Sequence, residues 1–426
     1  MKTLKNKTII LLVLLLASSL ILSACGTAAS PASTAAQTAG TSVSGTTSAT
    51  ALSASSGSTS DADSEYFSDR DLSGEYDDTV VTVTLSGTTA AASSDAVQID
   101  GSTVTITAAG TYLLSGTLSD GTVVVDAGKD DKVQLVLDGV SIHSSSFAAI
   151  YVRQADKVFV TLADGTVSTL SNGGSFIQID ENDVDAVIFA KDDITFNGTG
   201  TLQISSPAGN GIVGKDEVTF TAGIYEISAD GNAIRAKDSL AIADGCFALA
   251  AGTDGLHAEN GDDETLGNIY IAGGTFEIRV NDDAIHAHTL LQIDGGTFNI
   301  VAAEGLEATY VLINDGVITI SASDDGINAA KKSSVYTPTV EINGGEVTVT
   351  MGAGDTDGID SNGNIIINGG TVSVSGQSTF DYDGTAQYNG GTIIVNGEQV
   401  DAIPNQMMGG GMGGFGGMGG FGGRRP

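Results

Sequence analysis

From residue 210 onward, apolar residues alternate with polar ones in short bursts, as in Phe276/Ile278 and Phe298/Ile300. That spacing is the period-two signature of β-strands, and no window sustains the 3.6-residue period of a helix. The bursts belong to two recurring phrases. In the first, an acid or amide and a small residue precede Ile or Leu, any residue, and Ala, Gly or Ser. It begins at Asn210, Asn232, Asp254, Asp283, Glu304, Asp325 and Asp357, with spacings of 22, 22, 29, 21, 21 and 32 residues. The second opens with a glycine, at Gly223, Gly245, Gly274, Gly296, Gly316, Gly345, Gly370 and Gly391, and continues with an alternating strand. Two phrases in step at about 22 residues predict an all-β solenoid. Three short strands and three turns fit one such repeat, which is a coil of a single-stranded parallel β-helix. The two long spacings predict loops inserted at single turns, over Glu259–Gly267 and Ala330–Pro338.

The pattern also divides the chain. Residues 1–24 carry Lys2, Lys5 and Lys7 ahead of the apolar run Ile9–Leu16 and read as a signal peptide. Leu22-Ser-Ala-Cys25 is similar to a bacterial lipobox, so lipid on Cys25 and an extracellular, membrane-anchored lipoprotein are expected. Residues 25–75 are rich in Ser, Thr, Ala and Gly and predict a disordered tether with no packing role. Residues 76–402 predict the β-helix. Its first, irregular coils form a cap from about Thr79, and regular coils start at Val133. Residues 403–426, rich in Gly, Met and Phe, predict a disordered tail.

Stacking places equivalent residues about 4.8 Å apart on successive coils. Asn232, Asp254, Asp283, Glu304, Asp325 and Asp357 then form one column. Neighbouring carboxylates at that distance repel by roughly 1–3 kcal/mol. One calcium ion, with oxygens at about 2.3–2.6 Å, bridges such a pair. Second acids flank the column at Asp230, Asp282, Asp324, Asp355, Glu307 and Asp360, completing a set of candidate calcium ligands. Asp and Asn also suit turns because they cap themselves and tolerate left-handed backbone, so a turn-forming role stands beside the cation one.

Lys191, Lys215 and Lys237 recur at one slot, each followed by Asp. They form either a solvated ladder of salt bridges or a basic strip for anionic sugars. Arg235, His257 and His286 share the slot beside the acid column and face outward as sugar or solvent contacts; hard oxygens around the histidines favour calcium over a transition metal. The chain has no Trp, which leaves Tyr270 and Tyr310, in outward slots, as the aromatic candidates for a sugar platform. Cys246 is the one cysteine besides Cys25 and is expected as a free thiol in a slot otherwise held by Thr. The formal charge of −35 becomes −38 without the leader's lysines, which excludes nucleic acid as a partner. No other apolar run spans a bilayer, so the lipid is the expected membrane contact, and the protein is expected to be a monomer.

The lipobox, the Asp-Gly-Ile/Leu phrase and the Gly-Gly-Thr phrase together resemble clostridial cell-surface, carbohydrate-binding β-helix proteins that look like polysaccharide lyases. The resemblance covers residues 80–400 and is most specific from Asp254 to Asp360. It implies a right-handed parallel β-helix, bound calcium, and binding to plant cell-wall polysaccharide such as cellulose or acidic pectic sugars. Three functions compete: binding without turnover, a calcium-dependent polysaccharide lyase, and a structural adhesin. A lyase needs a base to remove the C5 proton of a uronate. Arg235 and Lys237 are the sole candidates, so no catalytic residue is assigned and binding is the expected function.

Overall fold

The structure, a computed structural model, describes residues 66–76, 79–353 and 356–405. Among these residues the one helical element whose bounds are defined is the short turn Asp69–Leu72, and the rest of the regular structure is β. Each repeat supplies three strands. One joins a 13-stranded sheet, and two join a 25-stranded sheet. Pairing between repeats is parallel and in register: Phe247 lies opposite Phe276, and Phe276 opposite Phe298. The larger sheet contains two stacks joined by the long strand Lys132–Ser144. Its first half pairs with Lys157–Leu162 and its second half with Val167–Asn172. Hydrogen bonding does not join the larger and smaller sheets into one.

The alternating residues explain the core. In the smaller sheet Ile212, Ile234, Leu256, Ile285, Leu306, Ile327 and Ile359 stack inward and are fully buried. The larger sheet adds a column of rings, with Phe247–Phe276 at 4.8 Å and Phe276–Phe298 at 4.5 Å, nearly parallel. Each such pair adds about 0.5–1.5 kcal/mol beyond burial. The glycine that opens the second phrase has a structural reason. Gly370 adopts φ +74° at a turn, and a Cβ there would lie 2.6 Å from the carbonyl oxygen of Gly345 on the preceding repeat. Left-handed backbone and close stacking both demand glycine.

The expected loops 259–267 and 330–338 are present as non-strand segments. They meet each other: Glu264 accepts the Ser334 N–H at 2.9 Å, and Ser333 Oγ donates to the Glu264 carbonyl at 2.8 Å. Antiparallel pairs finish the ends of the stacks, Val81–Gly87 with Ala90–Ala92 and Val97–Asp100 with Thr103–Ile106 at the start, Thr392–Val395 with Glu398–Val400 at the finish. This is the protected edge that a stacked fold requires.

Residues 66–75 fall in the stretch expected as a tether, yet they lie docked as a strap across the larger sheet. Ser68 caps the helical turn, reciprocally bonded with Asp71. Asp71 is 2% exposed. Its carboxylate accepts from Thr195 Oγ1 at 2.6 Å and pairs with Lys157 Nζ at 2.8 Å. Its carbonyl accepts from Thr221 Oγ1 at 2.8 Å. Burial pushes the Asp71 carboxyl up, but Lys157, Ser68 and Thr195 outweigh that and hold it below its ordinary value. The polar residues that serve this dock are too few and too scattered to show as a periodic pattern. The signal peptide, Cys25 and the glycine-rich tail lie outside the described residues. Cys246 sits opposite Thr275, as expected, but is not a free thiol; it is disulfide-bonded.

Candidate functional site

The outer face of the smaller sheet carries the predicted column. Because inward residues alternate with outward ones, register aligns Arg235, His257, His286, Glu307, Asn328, Asp360 and Asp381 on successive repeats. The leading acids and amides lie beside them and act first as a ladder. Asn210 Oδ1 accepts the Asn232 N–H at 2.8 Å, and Asn232 Oδ1 accepts the Asp254 N–H at 3.1 Å. Asp254 does the same for Asp283, and Asp325 for Asp357, both at 3.1 Å. One oxygen of each of these side chains therefore ties its repeat to the next.

The second oxygen distinguishes two stretches. In the upper one, Asp254 Oδ2 meets His257 Nδ1 and Asp283 Oδ2 meets His286 Nδ1, both at 2.7 Å. The two imidazoles stack at 4.6 Å. His286 Nδ1 also lies 2.9 Å from Glu307 Oε2, and Lys332 Nζ lies 2.9 Å from Glu307 Oε1. Burial pushes the His286 pKa down, but hydrogen bonds to Asp283 and Glu307 win and raise it to about 9. Burial pushes Glu307 up, yet His286 and Lys332 bring it down to about 2. This stretch supplies its own cations. His257, 9% exposed, and His286 are largely enclosed, so they are not the solvent-facing contacts expected of them.

In the lower stretch no Lys, Arg or His pairs with a carboxylate of Glu304, Asp325, Asp357 or Asp360 among the described residues. Burial first, then Glu307 and Asp283, raise Glu304 to about 8. Burial first, then Asp325, Asp357 and Asp381, raise Asp360 to about 7. Asp325 is raised to about 6, again by burial ahead of its acidic neighbours. Asn328 Nδ2 donates to Glu304 at 3.1 Å. Asn328 Oδ1 and Asp381 Oδ1, both buried, have no hydrogen-bond partner. This donor set is oxygen-only, in excess and short of positive charge, which is the chemistry a hard divalent cation takes.

The remaining candidates distribute as follows. Asp254, Asp282 and Asp283 bring carboxylate oxygens within 4.8 Å of one another. Asp230 and Asp324 are exposed on the turns leading into the ladder. Asp355 lies outside the described residues. Lys215, Arg235 and Lys237 converge on a cavity of about 450 Å³ closed by Glu259 and Gly261. Lys191 does not line it. Lys215 Nζ stands 5.3 Å from the Phe189 ring, and Lys237 pairs with Asp262 at 2.8 Å. That hydrogen bond holds the Lys237 pKa above its ordinary value.

Tyr270 does point outward, but the strap covers it. Tyr66 stacks on it at 4.1 Å, Phe67 lies at 6.0 Å, and 2% of it is exposed. It is withdrawn from the sugar-binding candidates for that reason. Tyr310 stays half-buried, its hydroxyl bonded to Glu341. Tyr336 meets it edge-on at 5.3 Å and is 39% exposed. Tyr336, Lys332 and Glu259 escaped the sequence reading because all three sit at or within the inserted loops, where repeat alignment gives no position.

Fold and face together define a class: an all-β repeat protein with long parallel sheets and a ladder of carboxylates and amides on one outer face. Residues 100–355 and 306–402 match the family described as carbohydrate-binding domain-containing protein, and the chain belongs to that family. A carbohydrate-binding domain-containing protein of Acetivibrio thermocellus is 36% identical over 137 residues, which is 32% of this chain and 48% of that relative. The match thus spans about half the relative's length. A solved structure described as the polysaccharide lyase-like protein from C. thermocellum, gadolinium derivative, is 32% identical. It aligns with a TM-score of 0.52 over 57% of this chain and 96% of that one. These similarities support a carbohydrate-binding role.

Proposed function

We propose that the chain is a cell-surface lipoprotein that binds plant cell-wall polysaccharide, cellulose or acidic pectic sugars, through a calcium-stabilised, right-handed single-stranded parallel β-helix, without turnover. The observation that carries this reading is the pairing of two charge fields on one face. The cavity of Lys215, Arg235 and Lys237 offers positive charge to a uronate carboxylate. The carboxylates of Glu304, Asp325, Asp357 and Asp360, further along, offer oxygens to calcium. Binding is favoured over catalysis because Lys237, raised by Asp262, stays protonated and makes a poor base. Replacing Lys215, Arg235 and Lys237 with Ala is expected to weaken polygalacturonate binding and flatten its salt dependence. Unchanged affinity would remove the cavity from the account.

The lyase-like description of the solved relative keeps a second reading, a calcium-dependent lyase in which Arg235 removes the proton. Accumulation of unsaturated uronate products by the wild type, lost in Arg235→Ala, would establish it.

A further inference from the structure

The strap forms a second cavity, away from the carboxylate ladder. Hydrogen bonds from several repeats fix its backbone: Asn197 Nδ2 donates to the Ser73 carbonyl at 3.0 Å and Gln134 Nε2 to the Glu75 carbonyl at 3.3 Å. Gly74 packs directly on Gly198, where a Cβ would meet backbone at 3.1 Å. Around that contact the strap and the larger sheet border an open cavity of about 520 Å³. Leu72 and Tyr76 line it from the strap and stay 56% and 42% exposed. Asp164 and Thr199 also line it, with Thr199 Oγ1 donating to Asp164 at 2.7 Å. Glu75 adds a second carboxylate, and among the described residues no Lys, Arg or His lines the space.

We propose that this cavity is a subsite for a neutral hexopyranose unit of a polysaccharide, distinct from the basic cavity. The inference rests on the carbohydrate-binding reading. Its chemistry selects the ligand class. The Tyr76 ring offers a flat apolar surface for the C–H face of a sugar ring, and Leu72 adds aliphatic surface to the same lining. Two carboxylates accept hydroxyl protons, in charge-assisted hydrogen bonds stronger than neutral ones. The same carboxylates repel an anionic sugar, so this cavity and the basic one divide neutral from acidic units. The Asp71 dock and the hydrogen bonds to the Ser73 and Glu75 carbonyls fix the backbone that carries Leu72 and Tyr76 before any ligand arrives, which lowers the ordering cost of binding.

The test titrates the full chain with cellohexaose and, separately, with trigalacturonate, in wild type and in Tyr76→Ala and Asp164→Asn variants. Tyr76 and Asp164 are exposed, and a thermal melt of each variant checks that the wild-type fold is kept. The expected result is at least tenfold weaker cellohexaose binding in Tyr76→Ala, a smaller loss in Asp164→Asn, and trigalacturonate binding unchanged in both. Cellohexaose affinity untouched by Tyr76→Ala would overturn the subsite. So would a wild type that binds trigalacturonate but not cellohexaose, and either result leaves the carbohydrate reading standing. A wild type that binds neither sugar overturns both.

Discussion

Removing calcium should make the protein more stable in mild acid than in mild base. Glu304, Asp325 and Asp360 sit at about 8, 6 and 7 in the folded chain, above the ordinary carboxylate range. In that range the folded state holds protons that the unfolded state has already released. Stability therefore falls as pH rises from about 4 to about 8. His286, raised to about 9, acts in the same direction, because its contribution is complete below its ordinary value and is lost toward 9. Glu307, lowered to about 2, adds stability that is complete above its ordinary value, so it is silent in this window. Each pKa unit is worth about 1.4 kcal/mol. The three carboxylates are half-buried and share one repulsion, so screening by solvent and mutual counting trim the sum to roughly 3 kcal/mol. For a domain of this length that is a fall of roughly 4 °C in Tm between pH 5 and pH 8. Calcium at a hundredfold its dissociation constant returns about 2.7 kcal/mol, and more at pH 8 than at pH 5, since it binds the ionised form. Differential scanning fluorimetry across that range, in chelator and in calcium, reads both effects. Glu304→Gln with Asp360→Asn should flatten the slope to the share that Asp325 and His286 carry, and weaken the calcium response with it. A chelated protein whose Tm is flat or rises with pH, and which calcium leaves unmoved, would refute the reasoning.

Three further outcomes follow from single positions. Phe276→Ala opens the ring column between Phe247 and Phe298 and should cost roughly 3–5 kcal/mol in denaturant melts. Asp71→Ala strands Lys157 and Thr195 beneath the strap, and a loss of roughly 2–4 kcal/mol is expected, with proteolysis near residue 70 appearing before global unfolding. Cys25→Ala should release the protein from the membrane fraction with the repeats still folded.

Much of the architecture was legible because strand period and repeat period are both written in local residue order. Phe276/Ile278 and Phe298/Ile300 announce strands, the two phrases announce stacking, and the loops at 259–267 and 330–338 show as breaks in the count. The column of leading acids was legible for the same reason. What each carboxylate does was not, because that depends on the second oxygen. Asp254 and Asp283 turn theirs to histidines three residues on, whereas Glu304 receives only an amide from Asn328. Lys332, which completes the self-neutralised stretch, comes from an inserted loop with no repeat position. The strap was hidden for a different reason. Tyr66, Phe67 and Asp71 act singly, over sequence separations of more than a hundred residues, and no periodic signal marks such contacts. Tyr270 was misjudged in consequence, since its outward direction is local but its cover is not.

The central claim is calcium-dependent binding of an acidic polysaccharide without turnover. One calorimetric titration of polygalacturonate into the full chain, in calcium and then in chelator, with uronate absorbance followed in the same cell, tests it most directly. The account expects saturable binding in calcium, at least tenfold weaker binding in chelator, and no rise in unsaturated product. Equal affinity with and without calcium, or a steady accumulation of unsaturated uronate, would contradict it.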